Sequence, residues 1–130
     1  MFDWKKPTVQ MLGRWQPWHD GHTELFKRAL QKTRQVCIMY RDVEGVDAGV
    51  EGQADNPFGF EEVKKNIIVE LSKHNFEEGG DYVVIKVPNI IDISYGRGVG
   101  YSFTEHDLGK EIHAISATNI RKELRLKKEL

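Results

Sequence analysis

Residues 8–40 switch between two hydrophobic periods, and that switch restricts the fold more than any other feature of the chain. Residues 8–12 form a half-apolar run stopped by Gly13. Leu25, Phe26, Ala29 and Leu30 then recur at helical spacing among Glu24, Lys27 and Arg28. Residues 35–40 return to a short apolar run containing Val, Cys, Ile, Met and Tyr, the composition of a buried strand. Strand, helix and strand in this order predict a parallel crossover unit, because parallel neighbours need a long connection between them.

The rest of the chain extends the pattern. Residues 42–57 hold Gly45, Gly49, Gly52 and several acids with little apolar content, which predicts a long loop able to act as a lid over a ligand. Asn56 and Pro57 end it. A second helix is predicted next, with Glu61 and Glu62 in its first turn and Val63, Ile67 and Leu71 along one face. Residues 82–87 predict a third strand and residues 90–95 a fourth, separated only by Pro88 and Asn89. Residues 101–106 suit a short fifth strand, and from about Ala117 the chain reads as helical. At 130 residues this is one domain's worth of chain, read as a single α/β domain over residues 1–130.

Composition narrows the function classes. The formal net charge is −1, so no basic excess points to nucleic acid. The basic run Arg121, Lys122, Arg125, Lys127 and Lys128 alternates with Glu123 and Glu129, as on a solvated helix face. No apolar run approaches about 18 residues, the length of a membrane span. The lone Cys37 sits in an apolar run and has no partner for an internal disulfide, which fits a reducing, cytoplasmic setting.

The chemistry concentrates between the first strand and the first helix. Residues 13–22 read Gly-Arg-Trp-Gln-Pro-Trp-His-Asp-Gly-His. In a parallel sheet this turn lies at the carboxyl edge, where ligands bind. The following helix start offers free N–H groups and a positive dipole end, both suited to phosphate. Gly13 and Gly21 permit a sharp turn and close approach of a ligand to the backbone. His19 and His22 are three apart, so one helical turn brings them to a common point. A metal site would need further ligands, and His74, His106, His113 and Cys37 stand at no recognisable metal spacing, so no protein-held metal is expected.

His19-Asp20-Gly21-His22, preceded by Gly-Arg-Trp-Gln-Pro, resembles the HxGH motif of the nucleotidylyltransferase superfamily, which includes adenylyl- and cytidylyltransferases. A second stretch, Ile115-Ser116-Ala117-Thr118-Asn119-Ile120-Arg121, resembles that superfamily's I-S-x-T-x-I-R signature. The resemblance implies a Rossmann-like parallel sheet of about five strands flanked by helices. It implies transfer of a nucleotidyl group from a nucleoside triphosphate to a small phosphate-bearing acceptor, with Mg²⁺ accompanying the nucleotide. His19, His22 and Arg121 are the catalytic candidates. Gly13, Arg14, Trp15, Gln16, Gly21, Gly96, Arg97, Ser116 and Thr118 are the nucleotide-binding candidates. The Gly-Arg-x-Gln-Pro leader favours ATP, while the overall length is nearer to small cytidylyltransferases, so AMP transfer is favoured with CMP as the alternative. A non-catalytic nucleotide-binding module of the same fold and a sulfurylase acting on ATP are the rival readings. No membrane and no nucleic acid are expected as partners, and homo-oligomer formation is left open.

Overall fold

The computed structural model describes residues 1–44, 56–97, 100–106 and 108. The elements run β1 (Val9–Gly13), α1 (Asp20–Thr33), β2 (Val36–Arg41), α2 (Phe60–Ser72) and β3 (Tyr82–Val87). The strands form a parallel sheet in the order β1-β2-β3, with Val9 opposite Val36 and Val36 opposite Tyr82. Each connection that crosses over contains one helix. Two right-handed crossovers that advance in the same direction place both helices on one face of the sheet.

The burial pattern agrees. Alternate β2 residues Val36, Ile38 and Tyr40 are fully buried, and they share one core with Met11, Tyr82 and Val84, with Phe26 and Ala29 of α1, and with Val63, Ile67 and Leu71 of α2. Phe26 meets Phe76 and Tyr82 edge-on at ring separations of 5.1 and 5.6 Å. Each fully buried aliphatic side chain here contributes about 1.5–3 kcal/mol. Cys37, Met39 and Arg41 alternate onto the other face and are half-buried.

α1 ends on Arg34 in the left-handed conformation (φ 68°), whose N–H reaches Leu30 O. Its neighbour Gln35 clasps the N-terminal segment through hydrogen bonds to the Asp3 and Lys6 carbonyls and the Thr8 hydroxyl. Among the described residues no helix is long and apolar enough to cross a membrane.

Two expected strands do not form. The described residues make a sheet of three strands rather than about five. Residues 90–95 and 101–106 carry no regular structure. Residues 90–95 read as a strand from the sequence, yet Ile91 is 86% exposed. A fourth parallel strand beside β3 would need a crossover, and Pro88 with Asn89 is far too short for one. Instead Ile90 N–H donates to Pro88 O at 2.7 Å, which turns the chain away from the sheet. The helix expected from Ala117 and the central part of the 42–57 loop lie outside the described residues.

Candidate functional site

The β1–α1 turn is built from the inside outward. Trp15 adopts a positive φ of 53°, and its indole folds back over Gly13. A Cβ at residue 13 would stand 2.7 Å from that ring, so the missing side chain of Gly13 makes room for tryptophan. The indole N–H donates to Met39 O on β2 at 3.1 Å. Trp18 packs against Trp15 with ring centres 4.9 Å apart and donates to the Thr23 hydroxyl at 2.8 Å. Both indoles are buried.

His19 is the N-cap of α1, and the two histidines close a reciprocal capping box. His19 Nδ1 accepts from Gly21 N–H at 3.1 Å, and His22 Nδ1 accepts from His19 N–H at 3.1 Å. An acceptor nitrogen carries no proton, so both neutral rings hold theirs on Nε2. Neither Nε2–H has a hydrogen-bond partner among the described residues, and each is left to serve a ligand at the positive end of the helix dipole. The rings stack 3.7 Å apart. The Trp15 and Trp18 rings stand 4.8 and 5.4 Å from that of His22.

This enclosure sets the charge state. Burial, reinforced by the adjacent His19, pushes the His22 pKa down to about 3. Burial also lowers that of His19, with Asp20 opposing. Between the ordinary value of 6.5 and about 3 the unfolded chain takes up a proton at His22 and the folded chain does not. Stability is therefore fully present above about 6.5 and falls as the pH drops through that window. Urea midpoints measured across it are expected to decline toward acid. His22→Gln, which keeps an acceptor for the cap but cannot titrate, should flatten the decline. An unaltered pH profile in that variant would show that other groups govern acid sensitivity.

A second set of contacts fixes the segment entering α2. The buried Gln16 amide donates to Phe58 O at 2.8 Å and to Arg14 O at 3.2 Å, and its Oε1 accepts from Phe58 N–H at 2.8 Å. Tyr40 Oη reaches the same Phe58 carbonyl at 3.3 Å, and Arg14 Nη1 donates to Asn56 Oδ1 at 3.2 Å. Asn56, read from the sequence only as the end of a loop, and Phe58, which the sequence does not single out, thus belong to the wall of the site. The signal available for them was an Asn-Pro-Phe entry into a helix on the carboxyl side of β2. Arg41, the last residue of β2, also reaches this edge. Beside the turn lies a cavity of about 370 Å³ with Trp15, Trp18 and Phe58 on one side and Glu62, Asn66 and Glu70 on the other. Its two carboxylates make it unsuited to phosphates.

The described residues bring Gly13, Arg14, Trp15, Gln16, His19, Gly21 and His22 together in one turn. Gly96 and Arg97 lie in an exposed bend beyond β3, and no hydrogen bond or ion pair joins them to that turn among the described residues. Ser116, Thr118 and Arg121 lie outside the described residues.

Comparison with known proteins points the same way. The chain is similar to a nucleotidylyltransferase. Over 81 residues it is 32% identical to a nicotinamide-nucleotide adenylyltransferase of Methanococcus aeolicus, a match that covers 62% of this chain and 41% of that protein. The chain thus spans less than half the length of that relative. No family model matches it, and no solved structure matches it.

Proposed function

We propose that this chain is a nucleotidylyltransferase domain that transfers a nucleotidyl group, AMP in preference to CMP, to a small phosphate-bearing acceptor. The observation that carries the reading is the histidine capping box at the start of α1. It presents two neutral Nε2–H donors and a helix N-terminus at the carboxyl edge of a parallel sheet. That is a set of anion-binding donors with no nucleophile among them, which suits phosphoryl chemistry by positioning and charge stabilisation. The similarity to a nicotinamide-nucleotide adenylyltransferase supports the same class and favours ATP.

The step needs no covalent enzyme intermediate. An acceptor phosphate oxygen attacks the α-phosphorus in line, a new P–O bond forms, and the bond from the α-phosphorus to the oxygen bridging to the β-phosphorus breaks. The electron pair leaves with pyrophosphate. His19 and His22 would donate to α- and β-phosphate oxygens as negative charge shifts toward the leaving group. Arg14 would reach the triphosphate or the acceptor. Gly96 and Arg97 would contact base or ribose. Ser116, Thr118 and Arg121 would hold the departing pyrophosphate, the guanidinium through paired contacts. No group of three or more His, Cys, Asp or Glu side chains able to hold a metal occurs among the described residues, so Mg²⁺ would arrive on the nucleotide's phosphates and offset their charge.

A pyrophosphate-release screen crossing the four nucleoside triphosphates with phosphate-bearing acceptors tests the reading. Acceptor-dependent pyrophosphate is expected with ATP, and MgATP should raise the melting temperature more than MgCTP at equal concentration. A larger CTP shift would assign the cytidylyl group. Nucleotide binding with no pyrophosphate for any acceptor would leave a binding module without catalysis.

A further inference from the structure

Charges at the carboxyl edge of the sheet are unevenly matched. Asp42 is engaged with Lys86 at 3.5 Å. The two arginines of this edge have no carboxylate partner among the described residues. Arg14 Nη1 donates to the Asn56 amide, and Arg41 Nη1 reaches Ile90 O at 3.4 Å, a long contact to an uncharged acceptor. Arg41 Nε is buried and has no acceptor among the described residues. Gly13 lies opposite Tyr40 in the β1–β2 ladder, so Arg14 and Arg41, the residues that follow them, leave the ladder at the same level.

A guanidinium keeps its charge at any physiological pH and presents its donors in a fixed fork. A buried N–H without an acceptor is a cost that the free fold carries and that an anionic oxygen relieves. We propose that Arg41, together with Arg14, binds a phosphate group, and that this group is the acceptor's phosphate rather than any phosphate of the nucleoside triphosphate. The second half rests on the transfer reading above; the anion site itself does not. The triphosphate is assigned to the start of α1 and the histidine pair, one connection away from the end of β2. An attacking phosphate must approach a polyanion, and a cation at its back offsets their repulsion. A fork that holds two oxygens leaves a third to attack. The weak contact to Ile90 O can give way without unfolding anything.

The opposing explanation is that Arg41 only tethers residues 88–90 through the Ile90 carbonyl. Titration calorimetry on the full chain separates the two, with inorganic phosphate as the probe and a saturating non-hydrolysable ATP analogue with Mg²⁺ present to occupy the triphosphate site. Arg41→Gln should raise the phosphate Kd about tenfold or more, and Arg41→Lys, which keeps the charge but loses the fork, by less. The Kd of the analogue should move by no more than about twofold. The melting temperature of the free Arg41→Gln chain should be unchanged or higher, whereas loss of a tether would lower it. Should Arg41→Gln fail to fold, Arg41→Lys carries the test. An unchanged phosphate Kd, absence of phosphate binding by the wild type, or equal weakening of analogue and phosphate would overturn the proposal. If phosphate binding depends on Arg41 yet no triphosphate ever yields pyrophosphate, the anion site stands and the transfer reading falls.

Discussion

Replacing His22 with alanine is expected to lower turnover about 10²-fold or more, because in the proposed reaction it removes a donor to oxygens where charge develops in the transition state. The same change removes the acceptor for His19 N–H, so about 1 kcal/mol of stability should go with it. His22→Gln separates the two effects. Its side-chain oxygen takes over the cap, as glutamine does in ordinary capping boxes, while the ring Nε2–H is lost. Stability close to wild type with turnover still far below it is the expected pair of results, read by pyrophosphate release and by urea unfolding. Near-wild-type turnover in both His19→Ala and His22→Ala would remove the histidines from the chemistry. Since His22 titrates at about 3, its own ionisation should not shape the rate between about pH 6 and 8.

The second large effect is expected at Gln16. Gln16→Leu keeps the approximate size but deletes the hydrogen bonds to Arg14 O and to both backbone groups of Phe58. The half-buried Phe58 N–H is left without its acceptor, while Phe58 O retains the Tyr40 hydroxyl. Unmet buried groups cost about 1–3 kcal/mol each, so a loss of about 2–4 kcal/mol is expected in urea unfolding. The damage should reach function as well, because Arg14 is held against Asn56 by the segment that Gln16 anchors. A loss below about 1 kcal/mol would show that the Gln16 amide is replaceable by water.

These two residues also illustrate what the sequence could disclose. His19 and His22 are three apart, and a local pattern is enough to predict that one helical turn unites them. That they cap the helix through Nδ1, and so leave Nε2 to donate, needs ring orientations that no spacing encodes. Gln16 reads with its motif neighbours as a nucleotide contact. The structure adds that its amide engages residue 58, across 42 positions of sequence, a distance invisible to any local window. The strand–helix–strand unit was legible because its periodicity and its connection length agree. β3 emerged at Tyr82–Val87, and β1 and β2 keep their expected lengths but are shifted one residue toward the C-terminus. Residues 90–95 misled because the sequence reports which side chains are apolar, not whether a neighbouring edge lies within reach. Nothing in the sequence singles out Arg41, just past the apolar run of residues 35–40, since only burial exposes an N–H left without an acceptor.

The packing around His22 gives the chain an optical property. Of its three tryptophans, Trp4 is exposed, while Trp15 and Trp18 both lie in ring contact with His22. Indole emission responds to the polarity and charge of what touches it. Light from two of the three fluorophores therefore originates at the wall of the site, and the solvent-facing one can be silenced by Trp4→Phe. Under the proposed function, nucleotide arriving at the start of α1 would change that emission without any attached dye, and stopped flow would separate slow from fast steps of its arrival.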